Sequence, residues 1–372
     1  MKLKSEEIIR QLHLKPLNEE KVFRLSDDFV SFSKEDSLHV LYSDLPLLSA
    51  DSVLRPLGST TFFTSAGIQH LETKLYNADK IGKGFCIYQP CIRTQYMDNI
   101  EEGSSTAFTN FSATQLDANQ DLFIYQTKKF LSFLLAKGIK RERIKLFLGV
   151  EKQKKWGEKE FSMTGISIFV DDTEVGMSNF MHKFPFSEEK KLDVCEVGIG
   201  IERLNWKLET GKNYFSGFER VYNDTFLKLS LDECARIIDP IRTATLITML
   251  GITPSLKNHG YRTRLLSKRF VYRKINKPID EKELIQNSYR WWEKQGIQSK
   301  FSLEEVQGII SKENKRNEND LLRKKLQEKL QIKIKLDINE DTEVFISKIQ
   351  RAMPKKERVE FMQFIQQGRQ YE

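Results

Sequence analysis

The stretch Glu196-Val197-Gly198-Ile199-Gly200-Ile201-Glu202-Arg203 constrains this chain more than any other. An apolar run ends in two glycines one residue apart and passes at once into Glu-Arg and the amphipathic start of a helix. The join predicts a strand turning into a helix. With no Cβ at either glycine, a flat ligand can approach the backbone closely. An arginine at the head of the following helix suits a polyphosphate, because its charge and the helix N-terminus both favour anions. Ordinary structural turns also carry Gly-x-Gly, so a second signal is needed.

That signal is Gln89-Pro90-Cys91-Ile92-Arg93, preceded by the strand-like Gly84-Phe85-Cys86-Ile87-Tyr88. A polar loop from Thr94 to Ser105 follows, then the apolar run Thr106-Ala107-Phe108-Thr109-Asn110-Phe111-Ser112. The pattern predicts two antiparallel strands joined by a long loop, with Arg93 at the end of the first. Further upstream lies Pro56-Leu57-Gly58-Ser59-Thr60-Thr61-Phe62-Phe63-Thr64-Ser65-Ala66-Gly67-Ile68-Gln69. In this order, the three stretches resemble the catalytic domain of alanyl-tRNA synthetase, a class II aminoacyl-tRNA synthetase. The upstream stretch resembles that family's Leu-Phe-Thr-Asn-Ala-Gly-Met segment, the middle one its Gln-Lys-Cys-Val-Arg strand, and the last its Asp-Thr-Gly-Met-Gly-Leu-Glu-Arg turn.

The resemblance implies an α+β fold, a class II synthetase-type antiparallel sheet flanked by helices and followed by a helical domain. It implies ATP and Mg2+ as cofactors, ATP being contacted by Arg93, Phe108, Gly198, Gly200, Glu202 and Arg203. Arg93 matches the family arginine that bridges the α-phosphate and the substrate carboxylate, and Arg203 the one that grips the γ-phosphate. Gly198 and Gly200 would floor the adenosine, and Phe108 is a candidate for stacking on adenine. Asp171, Asp172 and Glu174 are candidate magnesium ligands, although a plain acidic turn fits the same residues.

The substrate-selecting positions depart from the family. Glu196 stands where the family has the aspartate that binds the substrate ammonium. Phe161 stands in place of a tryptophan, and Asn179 stands where a valine lines the alanine pocket. The loop after Arg93 offers Ser104-Ser105 where the family has Arg-His-His. The expected amino-acid contacts are therefore Glu196, Asn179, Phe161 and Gly198, with a choice of amino acid that can differ from alanine.

Composition fits this without requiring it. A net charge of +8 suits a polyanionic partner and is also common on ordinary surfaces. Cysteines at 86, 91, 195 and 234 have neither zinc-ligand spacing nor the density of a disulfide scaffold, so free thiols are expected. The N-terminus lacks the apolar core of a signal peptide, and no apolar run reaches the roughly 18 residues of a membrane span. A cytoplasmic protein without membrane contact is expected.

Helical spacing predicts helices at Ser5 to Leu14 and at Gln120 to Leu135, where Phe123, Phe130, Phe133 and Leu134 share a face. Residues Phe29 to Tyr42 look irregular, and Arg143 to Val150 and Gly165 to Val170 read as strands. We expect a catalytic domain over residues 1–230 and a helical, tRNA-recognition-like domain over 231–372. In the latter, Pro240 should kink or restart the helix of Glu233 to Leu250. The stretch Gly260 to Lys274 carries Tyr261, Leu265 and Phe270 as an apolar stripe and resembles the family's tRNA-recognition helix. Arg262, Arg264, Lys268 and Arg269 are the candidate RNA contacts, a solvated amphipathic helix being the plainer alternative. Trp291-Trp292 reads as a packing anchor, Ser311 to Lys329 as an exposed helix or linker, and Arg351 to Tyr371 as a closing helix.

Three functions fit. The first is aminoacyl-adenylate formation with transfer to tRNA. The second keeps adenylation but passes the amino acid to a carrier protein, a peptide or a small molecule. The third is a non-catalytic paralogue that binds an amino acid, a nucleotide or tRNA.

Overall fold

The computed structural model describes residues 5–17, 21–32, 35, 37–57, 59, 61–71, 83–96, 103–156, 159–185, 191–209, 214, 222, 230–274, 277, 279–330, 342–352, 358, 359 and 362. The chain divides into two compact units, Met1–Arg93 with Ala107–Gly217, and Thr94–Thr106 with Phe218–Glu372.

Among the described residues the first unit carries a nine-stranded sheet. Its strands are β1 (Leu14–Pro16), β2 (Val22–Leu25), β3 (Leu47–Leu48), β4 (Gly84–Ile92), β5 (Ala107–Leu116), β6 (Ile144–Trp156), β7 (Lys159–Val170), β8 (Thr173–Pro185) and β9 (Lys191–Gly200). They lie in the order β1-β2-β6-β7-β8-β9-β5-β4-β3. Neighbours are antiparallel except β3, which runs parallel to β4. The unit also holds α1 (Ser5–Gln11), the single turn α2 (Leu38–Leu41), α3 (Gln120–Ala136) and α4 (Ile201–Leu208). This is the expected antiparallel sheet with flanking helices. The β1–β2 hairpin and α2 lie in segments whose sequence pattern carried no such signal.

Strand alternation decides what each face does. Phe111, Ala113, Cys195, Val197, Ile199, Phe180, Ile166 and Ile168 face α3, whose Phe123, Phe130, Phe133 and Leu134 complete one apolar core. The Asn119 side chain caps α3 by accepting from the Leu122 amide at 2.9 Å. The alternate residues of the same strands form the other face. One end of that face is apolar, with Phe85, Ile87, Leu116, Met181 and Val194 packed together, and the other end is polar.

The second unit is helical, with α5 (Leu231–Met249), α6 (Asn258–Lys274), α7 (Glu281–Lys294), α8 (Leu303–Leu330) and α9 (Thr342–Ala352). Pro240 neither kinks α5 into two elements nor starts a new one. A proline lacks the N–H that would pair with the carbonyl four residues back. Here that carbonyl, of Arg236, accepts instead from Arg273 Nη1 of α6 at 3.0 Å. A second unit of packing comes from Trp292, fully buried, which donates its indole N–H to the Arg242 carbonyl and stacks on the Arg242 guanidinium, as the anchor reading expects.

Two expectations about this unit change. Tyr261 is 44% exposed, and the buried stripe of α6 runs through Thr263, Leu266, Ser267, Phe270 and Val271. The long polar segment after Ser311 is neither linker nor uniformly exposed. It continues α8, which buries Glu313, Asn314 and Asn319. Ser267 hydrogen-bonds Asn314 and accepts from Asn317 at 2.9 Å, so α6 and α8 pack through a polar seam that a search for apolar periodicity misses. Of the proposed closing helix, residues 353–357, 360, 361 and 363–371 lie outside the described residues, as do Gly58, Thr60 and residues 97–102.

Candidate active site

The polar end of the second sheet face is built by strand register. Cross-strand partners share a face. Gly165 of β7 pairs with Asn179 of β8, which pairs with Glu196 of β9, which pairs with Thr114 of β5. One step along, Gly198 pairs with Ser112, and Gly200 pairs with Asn110. Phe108 pairs with Cys91 of β4, two residues before Arg93. Residues scattered over the sequence thus become one surface.

Glu196 is its centre and is 5% exposed. Its carboxylate accepts from Ser112 Oγ at 2.6 Å and, more loosely, from Asn179 Nδ2 at 3.4 Å. Burial pushes the carboxyl above the ordinary range. The Ser112 hydroxyl, the Asn179 amide, the Arg93 charge and the Ile68 backbone N–H pull it back down. A buried carboxylate is costly unless paired and hydrogen-bonded. These donors and the positive charge of Arg93 offset part of the cost of burial, and the carboxyl still stays above its ordinary range. A Cβ at Gly198 would lie 3.6 Å from Glu196 Oε1, so the missing side chain leaves space beside the carboxylate.

The segment carrying Ser65, Ala66 and Gly67 lies against this face. Gly67 donates its amide to Asn110 Oδ1 at 2.8 Å, and a Cβ on Gly67 would come within 2.4 Å of Ser112 Cβ. Only glycine permits that approach. Gln69 holds the segment in shape, accepting from the Ser65 amide and hydroxyl through Oε1. Ser65 in turn positions Arg93, whose Nε donates to the Ser65 carbonyl at 2.9 Å. The Arg93 guanidinium also sits 4.8 Å from the centre of the Phe108 ring. Held at one nitrogen and stacked on an aromatic, it is pre-oriented.

The strand-to-helix turn supplies the rest. Gly200 precedes α4, and a Cβ there would meet the Arg203 side chain at 3.9 Å. Arg203 Nη1 donates to the Glu174 carbonyl at 3.1 Å. Both carboxylate oxygens of Glu202 accept from the Thr109 amide, at 2.9 and 3.0 Å, which ties the head of α4 to β5. Glu202 therefore has a structural bond next to the Phe108 position. Phe161 is buried at the apolar end, edge-on to Phe184 with ring centres 5.2 Å apart.

Of the magnesium candidates, Asp171 and Asp172 form the turn between β7 and β8, with φ of 47° and 63°. Asp171 pairs with Arg143 at 2.5 Å and Asp172 with Lys145 at 2.6 Å. Arg143 holds the Asp171 carboxyl below its usual range. Both carboxylates are occupied by cations on an exposed turn, so they do not fit a magnesium site. Among the described residues no group of three or more histidine, cysteine, aspartate or glutamate side chains could hold a metal ion. The cysteines at 86, 91, 195 and 234 are buried thiols outside any disulfide, and no described helix is long and apolar enough to cross a membrane.

In the helical unit the four candidate RNA contacts are all on α6 and partly exposed. Arg264 is engaged by Glu313 of α8 at 3.2 Å, and Lys268 lies 5.8 Å from the Tyr272 ring. Lys274 is held by Glu281 and Glu318, at 2.8 and 2.7 Å.

Ser112, Asn110, Ser65 and Gln69 belong to the site but were not among the expected residues. A signal was present for two of them. Phe108, Asn110, Ser112 and Thr114 alternate along a strand, and the three polar ones are buried. A polar row at period two on a central strand marks a face with something other than packing to do.

No protein-family model matches this chain, and no curated protein matches it. Among solved structures, it is similar to PylSc of Desulfitobacterium hafniense, a pyrrolysyl tRNA synthetase. The match is 14% identical and spans 48% of this chain and 67% of that chain, with a TM-score of 0.34.

Proposed function

We propose that this chain activates an amino acid with ATP, forming an aminoacyl-adenylate in the manner of a class II synthetase, and passes it to a tRNA. The observation that carries this reading is Glu196, a buried carboxylate bonded to Ser112 and Asn179 and within the field of Arg93. A zwitterion suits that pair, with its ammonium on Glu196 and its carboxylate towards Arg93. The three sequence motifs that resemble alanyl-tRNA synthetase support the same assignment.

In this reading the amino-acid carboxylate oxygen attacks the α-phosphorus of ATP, the bond to the bridging oxygen breaks, and pyrophosphate leaves. Both reactants are anions, so catalysis consists of holding them together and stabilising charge on the transferring group. Arg93 serves both at once through its planar fork. Nε is committed to Ser65, which leaves the two terminal amino groups for the carboxylate and the α-phosphate. Phe108 and the glycines 198 and 200 take the adenosine, and Arg203 takes the far phosphates. Magnesium would screen the phosphates as part of the nucleotide substrate, with no ligand assigned from this chain. Residues 1–230 would act as the adenylation domain and 231–372 as the tRNA-facing one.

The test is amino-acid-dependent exchange of pyrophosphate into ATP, screened over the standard amino acids. Exchange with at least one of them supports activation, and its absence with all of them refutes it. One observation favours a second acceptor class, a carrier protein, peptide or small molecule. Arg264 and Lys274, two of the cations of α6, are already neutralised by Glu313, Glu281 and Glu318. Failure to bind any tRNA at low salt would select that alternative.

A further inference from the structure

Asn179 has two ends, and only one is used. Its Nδ2 points across to β9 and donates to Glu196 Oε2. Its Oδ1 points the other way, over Gly165 of β7, where it is buried without a hydrogen-bond partner. The assignment of the two ends follows from electrostatics, since the reverse would set the amide oxygen against a carboxylate. A buried acceptor left unmade costs free energy, and native proteins rarely leave one without a reason.

The surroundings define what would satisfy it. A Cβ at Gly165 would stand 2.9 Å from Asn179 Oδ1 and 3.9 Å from Met177 Sδ, so the bare glycine is what gives the amide oxygen room to lie there. Further along, Met181, Phe161 and Phe184 are buried and close off the apolar end of the face. The unpartnered acceptor is one amide group away from the carboxylate that would seat an ammonium.

Resting on the amino-acid-activation reading above, we propose that the substrate is an α-amino acid with a short side chain ending in an O–H or N–H donor. The ammonium lies on Glu196 and the side-chain donor completes Asn179 Oδ1 above Gly165. Alanine and its aliphatic homologues would leave that acceptor unmade. A site built to hydrogen-bond a substrate group rejects analogues lacking it by large factors, whereas an apolar wall discriminates only weakly.

Two measurements on the full chain test this. The first compares serine, threonine and asparagine with alanine, 2-aminobutyrate and valine in pyrophosphate exchange, for the parent protein and for Asn179→Val. The parent should favour a donor-bearing amino acid over its aliphatic counterpart by about 100-fold or more in kcat/KM, and the variant should reduce that preference to a few-fold. A parent that prefers alanine or an aliphatic homologue overturns the specificity while leaving activation intact. The second measurement is thermal stabilisation by the same amino acids without ATP. If exchange is silent throughout but donor-bearing amino acids alone stabilise the parent and not Asn179→Val, activation fails and the specificity stands. If neither measurement responds to any of them, both fail.

Discussion

The two faces of the sheet use the same strands and reach opposite ends. Towards α3, buried polar groups close on one another. Thr127 pairs with Ser178 at 2.7 Å, and Gln126 bonds both Gln115 and Cys195. On the other face the buried polar groups converge on an ionisable side chain and leave Asn179 Oδ1 unmet. The first arrangement completes itself on folding. The second leaves an acceptor beside an ionisable group, as a surface that takes up a further polar group would.

Breaking the packing face should have the largest effect. Phe123 is fully buried and meets the Phe180 ring edge-on at 6.1 Å. Phe123→Ala should lower unfolding stability by about 3–5 kcal/mol, read from denaturant midpoints. If the loss is below about 1 kcal/mol, this face is not the core it is taken to be.

On the site face, Arg93→Ala or Arg203→Ala should cost about 3–4 kcal/mol of transition-state stabilisation, a drop of 10²–10³ in pyrophosphate exchange. Circular dichroism should find the fold retained. Exchange surviving either change within a few-fold removes that arginine from the mechanism.

Glu196→Gln sharpens the contrast. It keeps the shape but removes the charge, so the amino-acid KM should rise by the equivalent of about 1.5–3 kcal/mol while ATP binding is little changed. The pH dependence carries a sign. Burial raises this carboxyl above its ordinary 4.5, so the folded chain holds the proton more tightly than the unfolded one. The stability Glu196 contributes is fully present below that ordinary value and is lost as pH rises through the raised one. Amino-acid affinity should climb over the same window, because the ammonium needs the ionised form. Equilibrium unfolding and amino-acid titrations across pH should therefore move in opposite directions in the parent, and both trends should flatten in the variant.

The smallest effect concerns α6. Neutralising Arg262, Lys268 and Arg269 together should reduce the logarithmic salt dependence of tRNA binding by about one unit per lost phosphate contact, with adenylation unchanged. Arg264→Ala removes the ion pair with Glu313 and should cost at most about 1 kcal/mol of stability with little change in that slope. An Arg264 variant that matches the triple variant in salt dependence would mean that this ion pair opens on binding.

Much of this was legible in local pattern. Period 3.6 marks α3 through Phe123, Phe130, Phe133 and Leu134, and the position of Arg93 at a strand end follows from the apolar run before it. The glycines before Glu202-Arg203 mark the strand-to-helix turn. These signals survive because each belongs to one segment. The polar seam of α6 and α8 was not legible, because Ser267, Asn314 and Asn317 look solvated until each finds the other. Nor was the continuity of α5 through Pro240, which depends on Arg273 from another helix.

What the sequence alone determined, then, is where the candidate residues stand: two arginines, a glutamate before a Gly-x-Gly, and an asparagine at a position where the family it resembles has a valine. Tertiary structure decided that Asn179, Glu196 and Ser112 meet, because strand register sets side-chain faces with a period of two and a slip of one residue would send each to the opposite side. It also decided that Asp171 and Asp172 are spent on Arg143 and Lys145, since the value of a carboxylate depends on the charge the fold sets beside it.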